Sequence, residues 1–204
     1  MTTSNEEFSL REVLHLYAAL HLTGNDYARL CALANSYSDL SKADSAEYIA
    51  LETKAKEPIF SALDKFSFAD FFVGLFEAWF RKDEIYDTID ENLIANAIVG
   101  LPFYDIEFKE VLRNELTGNQ MKVIEQFRSF GDNLVDMNQQ QQLKIRNIVQ
   151  TDEMSNAKKM SEIRQILGDY EKTIADFEAM CGVVIRVIKD FLGQPLFELY
   201  RGLN

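Results

Sequence analysis

The sequence predicts an all-α protein, a multi-helix bundle continuing into a long antiparallel helical hairpin. Three observations predict it. Apolar residues recur at steps of three and four along almost the whole chain, without the sustained alternation of a half-buried strand. Three Pro and nine Gly in 204 residues supply too few tight turns for an all-β fold. An apolar fraction of 47% beside 26% charged residues is that of a chain that buries an ordinary core without a disulfide or a metal.

The elements follow in order. Ser4-x-x-Glu7 is a capping box, in which hydroxyl and carboxylate each take a backbone N–H that the first helical turn leaves unpaired. It leads into Phe8, Leu10, Val13, Leu14, Tyr17 and Leu20, with Gly24 as a stop. Asn25 or Asp26 caps a second helix carrying Tyr27, Leu30, Leu33 and Ala34. A third covers residues 44–56, and Pro58, whose fixed φ suits a first turn, opens the next. Ser67 caps a helix over 68–80 whose broad apolar face carries Phe68, Phe71, Phe72, Phe76 and Trp79. Eight aromatics between Phe60 and Phe80 make it the central core helix, an apolar ligand pocket or a face shown to a partner being the alternatives. Residues 83–99 and 104–116 read as two further helices, parted at Gly100-Leu101-Pro102 and closed by Thr117-Gly118-Asn119.

The remainder carries the hairpin. Met160, Ile163, Leu167, Tyr170, Ile174, Phe177, Cys181, Val184, Ile188 and Phe191 keep alternating steps of three and four, the spacing of a coiled-coil-like seam. Val123, Phe127, Phe130, Leu134, Met137, Gln141, Lys144 and Ile148 repeat it more weakly, with amides and a lysine toward the far end. Gln150 to Ser155 breaks both patterns and supplies capping residues. Two antiparallel helices joined by a short turn follow, each roughly 45–55 Å long. The tip around Asn138 and the four glutamines after it is either a solvated end or a projecting arm that meets a partner. Pro195 to Tyr200 folds back through Leu196, Phe197 and Tyr200. With no Pro/Gly/Ser linker between halves, residues 1–204 read as a single domain: bundle 6–118, hairpin 119–193, C-terminal segment 195–204.

Charge narrows the partners. The net charge of −12 repels phosphate backbones and anionic surfaces, so nucleic acid is not an expected partner. Membrane insertion is not expected either, because the most apolar stretch, 68–80, contains Asp70 and Glu77 and falls short of the ~20 residues of a span. The acidity is uneven: net −3 over residues 1–56, −8 over 57–118 and −1 over 119–204. The polar, acidic start differs from a secretory signal, and Cys31 and Cys181 sit in apolar helical patterns as buried free thiols. Both point to the cytoplasm.

The densest acidic cluster runs from Asp83 to Glu91. On a helix Asp83, Asp87 and either Asp90 or Glu91 share one face, with Glu84 beside them. Such a face is solvated, or docks a basic partner, or holds Mg²⁺ for phosphohydrolase chemistry, for which Glu107, Glu110 and Glu115 would have to face it. Glu12-x-x-His15 has the spacing of a di-iron bundle motif, but it has no second copy in the chain, and no zinc-ligand spacing is present. No phosphate-cradling glycine motif, serine elbow or His-Glu-x-x-His appears. No catalytic residue, cofactor or metal is therefore expected. The reading is a non-catalytic protein-interaction module (adaptor, inhibitor, chaperone or immunity-type protein) whose Asp83, Glu84, Asp87, Asp90 and Glu91 meet a basic protein surface. The hairpin could also pair with its own copy in a homodimer. The alternative from another class is a helical small-molecule-binding protein or a Mg-dependent phosphohydrolase using the 83–91 cluster.

Overall fold

Hydroxyl caps decide where the first helices begin. The computed structural model describes residues 9–80, 98–100, 116–134 and 137–202, and among these no strand is found. Helix α1 (Leu10–His21) starts at Ser9, whose Oγ accepts from Glu12 N at 3.3 Å while the Glu12 carboxylate accepts from Ser9 N at 2.8 Å. The Ser4–Glu7 box lies outside the described residues. Gly24, expected as a stop, is instead the first residue of α2 (Gly24–Asn35). Thr23 rather than Asn25 or Asp26 supplies its cap, accepting from Asp26 N at 3.1 Å.

Helix α3 (Lys42–Asp64) runs straight through Pro58, where a new helix was expected. Proline removes one backbone hydrogen bond, but Tyr48, Ala55, Ile59, Ala62 and Leu63 form one buried stripe across that point. The packing of α3 against α1, α2 and the return arm of the hairpin offsets the missing bond. Helix α4 (Phe68–Phe80) starts at Ser67, whose Oγ accepts from Asp70 N at 3.3 Å. Residues 98–100 are helical and buried.

The outgoing arm of the hairpin is α5 (Gly118–Leu134) and α6 (Gln139–Val149); the return arm is α7 (Asn156–Ile166) and α8 (Glu171–Leu192). A short α9 (Phe197–Tyr200) follows. Thr117, read as the end of a helix, begins α5 by a capping box with Gln120. The turn lies at 150–155 as expected, and α5 packs on α8 and α6 on α7. Each arm, however, is two helices. Asn138 starts α6 afresh by accepting from Gln141 N at 2.9 Å, and a 3₁₀ turn at Gly168–Tyr170 separates α7 from α8.

The two breaks lie beside each other: Met137 and Asn138 line the same depression as Leu167, Asp169 and Tyr170. Both α6 and α7 pack on α4, and Asn156 Nδ2 donates to Asp70 Oδ1 at 2.8 Å. The end that could have projected as an arm is thus seated on the aromatic helix. On its other side Phe68 and Phe71 meet Phe177 of α8, ring centroids 5.9 and 6.0 Å apart. Phe72 and Phe76 are almost wholly buried, so α4 is a core helix. The seam also changes register after the break: α6 buries Ile145 and Val149, while Lys144 and Ile148, the predicted seam positions, face outward or lie half-exposed. Buried Lys159 donates to Val149 O at 2.8 Å, closing the negative end of α6. In the return arm Ile163, Leu167, Ile174, Phe177, Cys181, Val184 and Ile188 are all buried, as their spacing predicts.

Candidate interaction groove and buried polar cluster

Polar depressions lie along the outside of the hairpin. Helix α5 presents Lys122, Glu125, Gln126, Ser129 and Asn133 at steps of three and four, and Lys172, Thr173 and Asp176 of α8 stand opposite. Phe130 and Tyr170 form the floor between them, ring centroids 5.1 Å apart in an edge-on pair. This first depression holds about 440 Å³. A second of about 360 Å³ lies at the two breaks, with Met137, Asn138 and Gln141 on one side and Ile166, Leu167 and Asp169 on the other. A third of about 540 Å³ lies between Gln141, Lys144 and Ile148 of α6 and Glu162, Gln165 and Ile166 of α7.

These depressions are neighbours along the hairpin. The first two share Asn133 and Tyr170, and the last two share Gln141 and Ile166. Their chemistry is layered. Phe130, Met137, Ile148, Ile166 and Tyr170 give an apolar floor, and Gln126, Asn133, Asn138, Gln141 and Gln165 give an amide rim. An amide side chain both donates and accepts, as a peptide group does. Charges of both signs alternate along the edge.

A second cluster lies beneath the C-terminal segment. Glu52 and Lys56, one turn apart on α3, are each only 3% exposed. Lys56 Nζ donates to Glu52 Oε1, Leu192 O and Gln194 O, all at 2.8 Å. The ammonium therefore closes the C-terminal end of α8 with all three of its protons engaged. Glu52 Oε1 also accepts from Leu196 N at 2.7 Å, just ahead of α9. Burial holds the Lys56 pKa below its ordinary value, with Glu52 opposing. Burial likewise pushes the Tyr48 and Tyr200 hydroxyls up, and the Glu52 charge adds to both shifts. The pair is a clasp between α3 and the chain end, with no proton left for a substrate.

Near this clasp His15 is 5% exposed, its Nδ1 2.8 Å from the Tyr27 hydroxyl. Its predicted partner Glu12 points outward into the Ser9 cap, so the Glu-x-x-His spacing brings together no metal ligands. Among the described residues no three His, Cys, Asp or Glu side chains gather closely enough to hold a metal ion. Cys31 is half-buried and Cys181 buried, both as free thiols. Burial raises both, Cys181 to about 12, which leaves little thiolate for nucleophilic chemistry.

The predicted docking residues Asp83, Glu84, Asp87, Asp90 and Glu91 lie outside the described residues, as do Glu107, Glu110 and Glu115. Sequence reasoning passed over Glu52 and Lys56, although a signal was there. Opposite charges four apart on the same stripe as Tyr48, Ala55 and Ile59 mark a buried pair rather than a surface one. Among the described residues no helix is long and apolar enough to cross a membrane.

The described residues form an all-helical protein organised around a helical hairpin, each arm of which is two helices. The chain matches no protein family, no curated protein and no solved structure.

Proposed function

We propose that this chain is a non-catalytic protein–protein interaction module, an adaptor, inhibitor, chaperone or immunity-type protein, that receives a segment of its partner along the hairpin trough. One observation carries the reading: three neighbouring depressions lie along the flank of the hairpin, each with apolar residues beside amide side chains. The floor rewards burial of apolar side chains at about 25 cal/mol per Å². The amides pair with the peptide groups of whatever lies above them. A basic surface of the same partner meets Asp83, Glu84, Asp87, Asp90 and Glu91, where the chain's acidity is concentrated. Two free thiols accord with a cytoplasmic setting for this role. A second copy of the chain is the competing occupant, giving a homodimer through the hairpin.

The test is cross-linking mass spectrometry on the complex purified gently at low salt. Cross-links from Lys122, Lys144 and Lys172 to one partner protein are expected. Reversing Asp83, Asp87, Asp90 and Glu91 to Lys should weaken that complex about tenfold or more, with the difference shrinking as salt rises. Cross-links that avoid these three lysines overturn the groove. Affinity unchanged by the reversal overturns the acidic docking surface. Cross-links from one copy of the chain to another replace the foreign partner with a homodimer.

A further inference from the structure

We propose that the flank of the hairpin holds its partner's segment in an extended conformation, gripped through the main chain by amide side chains on both arms; this inference rests on the interaction reading above. Gln126, Asn133 and Gln141 on the outgoing arm and Gln165 on the return arm line the three depressions. Among the described residues none of these four side-chain amides makes a hydrogen bond, and neither does the hydroxyl of Thr173, which lines the same depression as Gln126. Neighbouring amides that stabilise the hairpin itself are committed. Gln120 accepts from Thr117 N at 2.9 Å, Asn138 caps α6, and Gln142 Nε2 donates to Met137 O at 2.7 Å.

The conformation of the occupant follows from which of its groups need a partner. A helix satisfies its main chain internally and offers only side chains, so it is met by an apolar groove with anchors one turn apart. Here the apolar residues come in separate places, Phe130 with Tyr170, Met137 with Ile166, and Ile148, with amides beside each. An extended chain leaves its peptide groups unpaired and points successive ones to opposite sides. Amides on both walls answer those groups, because each carries a donor and an acceptor.

Charge specifies the segment further. Lys122 and Glu125 of α5 and Lys172 and Asp176 of α8 line the first depression, and among the described residues none of the four forms an ion pair. The walls therefore present two charges of each sign. Complementarity calls for a segment that carries both signs around the apolar side chain it sets on Phe130 and Tyr170. A uniformly acidic or uniformly basic segment gains two opposite charges and meets two like ones.

The probe is a library of random twelve-residue peptides selected on the full chain. Selected peptides are titrated into the full chain while NMR follows the side-chain amide resonances of Gln126, Asn133, Gln141 and Gln165. These resonances should shift together, and the bound peptide should show no helical contacts between residues three apart. Replacing one peptide amide by an ester, which removes a donor and keeps the side chains, should weaken binding about two- to tenfold. Gln126→Leu/Gln165→Leu should weaken it about tenfold. A bound peptide that is helical, or one indifferent to its esters, overturns the extended mode and leaves the flank as the interaction site. Failure of every selected peptide to move the four resonances overturns the flank itself, and the extended mode with it. Resonances that move with the concentration of the chain alone place a second copy there and overturn the proposal.

Discussion

Lys56 and Glu52 show how much one residue pair can hold. Removing either leaves the other charged, buried and unpaired, which costs about 3–5 kcal/mol. Lys56→Met should therefore lower the unfolding free energy by about 3 kcal/mol or more in urea titration. Replacing both members by apolar residues should cost less than the two single changes summed, because no orphan charge remains. A Lys56→Met loss under about 0.5 kcal/mol would show that the clasp is not closed in solution. The pair was legible from its spacing on an apolar stripe. The neighbouring His15–Tyr27 contact was not, since it depends on the two-residue corner, Leu22-Thr23, that folds α2 back against α1.

At the scale of elements, hydrophobic spacing identified helices better than their ends. Leu167 to Tyr170 is a step of three, which a 3₁₀ turn satisfies as well as an α-helix does, so an unbroken pattern concealed a broken helix. Asn138 was the visible signal in the other arm: a good cap ahead of four glutamines is a place to begin a helix. Pro58 misled in the opposite direction, because the tertiary packing of α3 outweighs one lost backbone bond. Within α8, Gly182 is exposed, and a Cβ added there would meet nothing within 4 Å. Gly182→Ala should stabilise the protein by about 0.5–1 kcal/mol, raising Tm by roughly 1–4 °C in a thermal melt. A lower Tm would mean that this face of α8 is covered.

Across the whole molecule, the all-helical architecture was legible because apolar periodicity is a property of each segment by itself. The trough was not, because it arises between segments. It needs both arms broken side by side, and a register that turns Ile145 and Val149 inward and leaves Gln141 half-buried and Lys144 exposed. The amides Asn138 and Gln141, which weakened the predicted seam, thereby line surface depressions. The tip helices α6 and α7 pack on α4, so the proposed partner would meet the flank of the hairpin and not its end.

The most direct test of that surface is a pair of native mass spectra, taken on protein prepared gently from its own cells at low salt. One is of the unaltered chain and one of Gln141→Arg/Gln165→Arg, which crowds the depression between α6 and α7 from both walls without touching the buried core. A heavier complex with the unaltered chain, and a bare 23.5 kDa chain with the variant, is the predicted result. The same complex in both spectra, or the bare chain in both, contradicts the groove as the site of recognition.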